Sequence, residues 1–141
     1  MENKNELMEV KNVIKAKDTS NVYSSMKCES MEEKKVLYNA LNNCDALVKD
    51  VVNSIISLKD VYIERYDKED ETTGEIKTKY RTILFDNEGK SYATGSYGIY
   101  NSINKLIMAF GEPATWKDAI DVKVEEIKTK TNGTSLILTL V

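Results

Sequence analysis

Lys77, Lys79, Tyr80, Arg81, Lys90, Tyr92, Tyr97 and Tyr100 fall within one short stretch of the chain. Cationic side chains interleaved with phenol rings suit one kind of ligand, a flexible polyanion carrying flat groups. Lysine and arginine meet the phosphates, and each ring offers a face on which a base stacks, contributing about 1–3 kcal/mol. The charge distribution agrees with that chemistry. Residues 76–110 hold five basic side chains against two acidic ones, whereas residues 1–75 hold eleven against sixteen. The net charge of -3 excludes a histone-like polybasic binder but leaves room for a local basic patch.

Other chemistries are excluded by what the chain lacks. There is no histidine, and the two cysteines, Cys28 and Cys44, are sixteen apart with no CxxC pair. A zinc cluster cannot be assembled, and neither Ser-His nor Cys-His catalysis has its base. The acidic run Asp67, Glu69, Asp70, Glu71 lacks the spacing of a calcium loop, and as part of a polar hairpin loop it reads as solvated. No phosphate loop is present. The expectation is a non-enzyme with no catalytic residue, no metal and no cofactor.

The elements that must position these residues are legible from periodicity and turn chemistry. Tyr80 to Phe85 is rich in β-branched and aromatic residues, and Asp86-Asn87-Glu88-Gly89 offers a type I turn closed by glycine, so a hairpin to residues 90–94 is predicted. Ile99, Ile103, Leu106, Ile107 and Phe110 then recur at helical spacing, with Ser96 as N-cap and Gly111 and Pro113 as the stop. Upstream, Ser30 and Glu33 form a capping box for a short helix bearing Val36, Leu37, Ala40 and Leu41. Residues 7–16 fit a strand or a helix equally, and residues 17–30 read as a polar connector. Residues 47–66 read as one long strand, interrupted at Asn53-Ser54 or between Ser57 and Asp60, and residues 67–75 as an exposed loop. Residues 120–128 and 135–140 form a closing hairpin around Asn132-Gly133.

This order, strand-strand-strand-helix-strand-strand, is the connectivity of the OB barrel: mainly β, five-stranded, with a bent first strand and a helix plugging one end. Another topology of five strands and a packed helix fits the same pattern. Residues 1–46 are expected to be an N-terminal arm with a short helix packing on the barrel, and residues 47–141 the barrel itself. If the Asp86 turn carries a bulge at Gly89, Thr82, Leu84, Tyr92 and Thr94 share a face with Tyr80, and Ile83, Phe85 and Ala93 face the core. Tyr80 and Tyr92 would then stand on the outer face flanked by Lys79, Arg81 and Lys90; a slip of one residue would reverse Tyr92. Each residue also has a plainer role, the tyrosines as half-buried sheet positions, the lysines as solvated strand faces and Trp116 as a cap on the core. Gly95-Ser96-Tyr97-Gly98 has the GxxG spacing of a backbone clamp, though here it follows a strand rather than joining two helices.

The run from Gly89 to Val141 resembles the C-terminal half of small single-stranded DNA-binding proteins of phages and mobile elements of Gram-positive bacteria. Asp86, Gly89, Lys90, Ser96, Gly98, Gly111-Glu112-Pro113 and Trp116 carry the likeness, which extends over residues 47–141 and weakly over Leu37-Tyr38-Asn39-Ala40. The resemblance implies a non-catalytic OB-fold protein that coats single strands in replication or recombination. Lys77, Lys79, Tyr80, Arg81, Lys90, Tyr92, Ser96, Tyr97 and Tyr100 would then contact the nucleic acid. It leaves self-association and contact with replication or recombination proteins open. The chain ends in LILTLV, without the acidic tail that many bacterial single-strand binders use for recruitment, so recruitment of that kind is not expected. The polar N-terminus and the lack of an apolar run of membrane-spanning length point to a cytoplasmic protein, in the bacterial host if phage-encoded. The competing reading is a protein-protein adaptor or inhibitor on the same fold, working through its acidic half.

Overall fold

The computed structural model describes residues 21–131 and 133–141. In chain order they form β1 (Val22–Ser24), α1 (Met31–Asn42), β2 (Ala46–Leu47), β3 (Ile55–Glu69), β4 (Ile76–Asp86), β5 (Ser91–Thr94), α2 (Tyr97–Phe110), β6 (Ile120–Lys128) and β7 (Thr134–Leu140). Residues 7–16, read as strand or helix, and Asn132 of the last turn lie outside the described residues. From β3 onward the order is the expected strand-strand-strand-helix-strand-strand. The protein is mainly β with two helices on a curled, open sheet, consistent with an OB-like fold.

A strand as long as β3 can have different neighbours at its two ends. Residues 55–58 pair with β6, Tyr62 to Glu64 pair with β1, and β4 runs antiparallel along the other edge from Leu58 to Glu69. The change of neighbour needs a bend. A bulge supplies it, for Leu58 faces Asp86 while Asp60 faces Phe85, leaving Lys59 as the extra residue. Two boundaries of the sequence reading are corrected here. The expected strand start at Leu47 is a two-residue β2 followed by a 3-10 turn, Val48–Val51, because Asn53, at φ +74°, reverses the chain before β3 begins. In the other direction β3 runs past Tyr66 through Asp67, Lys68 and Glu69, whose cross-strand partners on β4 outweigh their polarity.

The sheet order β2-β5-β4-β3-β6-β7 leaves β5 and β7 far apart, so the barrel does not close strand to strand. β2 takes the free edge of β5 as a parallel neighbour. At β7 the edge is covered by α2. Ser102 Oγ accepts from Leu138 N–H at 3.1 Å, and Gly98 packs so closely that any side chain there would meet the Leu136 carbonyl and Ser135 Oγ. The apolar face of α2, with Ile99, Ile103 and Leu106, fills the concave side against Val61, Leu84, Val122 and Val124.

The convex side is also covered. α1 begins with the predicted box, Ser30 Oγ accepting from Glu33 N–H while the Glu33 carboxylate accepts from Ser30 N–H. Its stripe of Val36, Leu37, Ala40 and Leu41 packs on Tyr62, Ile83 and Phe85. The hairpin register is the one expected, Leu84 opposite Tyr92 and Thr82 opposite Thr94. The side assignment is not. The face carrying Leu84 and Tyr92 is the inner one, under α2, and Tyr92 is only 8% exposed. Two helices cover the two sides of the sheet, so residues 82–85 are all buried and alternation there does not separate inside from outside.

Ile103→Ala, which empties a fully buried site between α2 and the sheet, should cost about 2–5 kcal/mol of stability. Gly98→Ala should also lower the melting temperature, by forcing the helix off β7. Thermal unfolding of both variants at wild-type levels would contradict this packing.

Candidate nucleic-acid interface

Beyond Thr82 and Ile63 the β3–β4 pair leaves the covered part of the sheet and continues as an exposed two-stranded ribbon to the turn at residues 70–75. Its inner face begins with Tyr80, directly across from Arg65. α2 starts beside it. Ser96 Oγ accepts from Ile99 N–H at 3.3 Å and so sets the first turn, which projects Tyr97 and Tyr100 toward Tyr80. The Tyr80 and Tyr100 rings stack with centroids 3.9 Å apart and planes 17° from parallel. Tyr97 tilts against both, at 5.8 and 5.7 Å, and is 61% exposed.

An open groove of about 510 Å³ runs past this cluster, walled by Tyr80, Tyr100, Arg65, Tyr23 and Glu112 among others. β1 and Asn21, the residue before it, form one wall through two contacts. Tyr23 Oη donates to Glu112 Oε1 at 2.9 Å, and Arg65 Nη2 donates to Asn21 Oδ1 at 2.7 Å. Burial, reinforced by the Glu112 carboxylate, pushes the Tyr23 phenol up to about 12. Burial together with the neighbouring Tyr100 also raises Tyr80, so the ring presented to the groove stays a neutral phenol.

The residues singled out from the sequence therefore separate into groups. Tyr80, Tyr97 and Tyr100 are brought together. Lys77 and Lys79 lie on the other face of the ribbon, because odd and even positions of a strand point to opposite sides. Arg81 shares that side and is occupied with the fold, donating to the Leu41 carbonyl at the end of α1 at 3.2 Å. Ser96 acts as a helix cap. Lys90, facing Asp86, lies roughly 20 Å along β4 from Tyr80, and Tyr92, opposite Leu84, roughly 13 Å. Lys90 Nζ lies 5.4 Å from the Tyr92 ring centre, and the Tyr92 hydroxyl donates to Asp86 Oδ2 at 3.2 Å. The outer-face placement of Tyr92 is thus corrected: its ring is packed in the core and its hydroxyl is tied to the turn. Asp86 also receives the Glu88 and Lys90 N–H groups, and Gly89, at φ +85°, completes the turn.

Arg65 and Tyr23 were not singled out from the sequence. Arg65 could have been found by counting back from the Asp70 turn, which sets it opposite Tyr80. Tyr23 lies on a three-residue strand, too short for any periodicity. Among the described residues no group of histidine, cysteine, aspartate or glutamate is placed to hold a metal ion, and no helix is long and apolar enough to cross a membrane. Both cysteines are free thiols, and burial raises each of them, which lowers their reactivity.

A family model described as phage single-stranded DNA-binding protein, of the phi29 type, matches residues 7–141. A single-stranded DNA-binding protein of Bacillus phage GA-1 is 33% identical over 115 residues, covering 78% of this chain and 66% of that protein. The chain thus spans just under two thirds of that relative's length. No solved structure matches.

The groove wall can be tested without a ligand. The folded state holds the Tyr23 proton more tightly than the unfolded chain, so this contribution to stability is complete below pH 10 and is lost as pH rises from there through about 12. Tyr23→Phe has no such proton to lose. Chemical denaturation across that range should show a shallower alkaline decline for the variant; identical slopes would mean that Tyr23 is not held as described.

Proposed function

The chain belongs to the family of phage single-stranded DNA-binding proteins, and on that premise we propose that it binds single-stranded DNA without catalysis, coating and protecting strands during phage or mobile-element replication or recombination. The observation that carries this reading is the Tyr80–Tyr97–Tyr100 cluster beside Arg65, at the mouth of an open groove. Sequence-independent binding needs π-faces and cations more than hydrogen-bond readout, and the cluster supplies rings already held in place. A ring fixed by its neighbours loses little side-chain freedom when a base stacks on its open face. Arg65, across from Tyr80, is set to meet the adjoining phosphate. Ser96 contributes by capping α2, and Tyr92 and Arg81 contribute through the fold. Lys90 stands at the far end of β4, where it would meet only a strand that runs the length of the sheet.

Fluorescence polarisation with labelled oligo(dT) and with duplex tests the reading. Oligo(dT) should bind far better than duplex, and affinity should fall as salt rises. Tyr80→Ala should weaken binding by about 1–3 kcal/mol with little change in salt slope, and Tyr80→Phe should retain most of it. Tyr92→Ala should lower the melting temperature while its folded fraction binds normally. No binding of oligo(dT) at low salt would overturn the proposal in favour of an adaptor.

A further inference from the structure

The two faces of the exposed β3–β4 ribbon differ in chemistry. On the inner face the cationic and aromatic character ends at Arg65 and Tyr80. The next pair outward is Asp67 and Thr78, joined by a 3.0 Å hydrogen bond, and beyond it come Glu69 and Ile76. A phosphate backbone following that face toward the tip would meet carboxylates and an exposed isoleucine. The outer face is the reverse. Tyr66 stands opposite Lys79 and Lys68 opposite Lys77, all four exposed.

The Lys68–Lys77 pair is informative in itself. Directly opposed residues of an antiparallel pair have Cβ atoms about 5 Å apart, and like charges so placed destabilise the pairing. Nothing in the fold requires ammonium groups there, since the ribbon is exposed on both sides. An anion seated between them would convert a repulsion into two attractions. Lys68, Lys77 and Lys79 line a common hollow of about 510 Å³, whose far rim is formed by Glu69 and the turn residues Asp70, Glu71 and Thr72. Asp70 is engaged within that turn, its carboxylate accepting the Thr72 and Thr73 N–H groups. The acidic rim bounds the cationic patch at the ribbon tip.

The geometry points to a second subsite: the Tyr66–Lys68–Lys77–Lys79 face takes the phosphates of the same single strand whose bases stack at Tyr80, so that the strand crosses the ribbon and is gripped on both faces. This rests on the single-strand reading above and adds the path. The strand leaves the inner face where its cations end and continues where the next ones stand, with Tyr66, 43% exposed, as a further ring beside them.

The test compares wild type with the K68Q/K77Q/K79Q variant on a length series of oligo(dT), each titrated at several salt concentrations. The substituted side chains are exposed, and unchanged melting would verify the fold. On long oligonucleotides the variant should lose about 2 units of slope in the plot of log affinity against log salt, at about 0.7 per phosphate contact. On oligonucleotides of about four nucleotides, enough for one subsite, it should match wild type. Tyr66→Ala should weaken binding of the long oligonucleotides alone and leave the salt slope unchanged. An unaltered slope on long oligonucleotides, or an equal loss on short and long, would overturn the two-face path while leaving stacking at Tyr80 intact. Failure of the wild-type protein to bind any oligonucleotide would instead remove the single-strand reading and this path with it.

Discussion

The antiparallel pairing of β3 with β4 is the constraint on which the remaining structure depends. It runs without a break from Asp60 to Glu69, with the Lys59 bulge at one end, and does three jobs along its length. Near the bulge it bends the sheet so that β6 and then β1 share the opposite edge of β3. In the middle it presents Leu84 to one helix and Ile83 and Phe85 to the other. Beyond Thr82 it projects as a ribbon, and the period of two then sorts its side chains into a face that carries Tyr80 and Arg65 and a face that carries Tyr66, Lys68, Lys77 and Lys79. A slip of one residue would exchange the two faces of the ribbon and set Lys79 or Arg81 where Tyr80 stands beside Tyr100.

The open sheet follows from what occupies its edges. β5 is only four residues long and its free side is taken by β2, so β7 has no strand to close against. Its edge is still not left bare. α2 lies over it, with Gly98 allowing the approach and Ser102 accepting one of the strand's N–H groups, which covers an edge that would otherwise invite pairing with another chain. The same placement sets the first turn of α2 beside Tyr80. Covering of the β7 edge by a helix and assembly of the tyrosine cluster are therefore one packing event.

Electrostatics at the groove favour weak, adaptable contacts over a single strong one. The Tyr80 and Tyr23 phenols are both raised above their ordinary range, Arg65 lies across from Tyr80, and Glu112 is engaged by Tyr23. Rings that can stack any base and cations that can meet any phosphate are what the proposed sequence-independent binding would require.

Much of this was legible in the chain because the signals are local. The capping box at Ser30, the Ser96 cap, the Gly111 stop, the Asp86 turn and the strand-strand-strand-helix-strand-strand order all rest on residues a few positions apart, and the Leu84–Tyr92 register followed from the turn. The grouping of tyrosine with lysine and arginine also pointed to a polyanion bearing flat groups, the ligand proposed above. Which side of the hairpin is inside was not available in that way. Ile83, Leu84, Phe85 and Tyr92 are apolar on both faces, and their environment is decided by two helices from distant parts of the chain, α1 over one side and α2 over the other. The same holds for the site: Tyr80, Tyr97 and Tyr100 converge because α2 folds back onto the sheet, and Arg65 joins them through cross-strand pairing. Local spacing determined the elements and their register, whereas burial, and with it the difference between a core tyrosine and a stacking one, was decided by long-range packing.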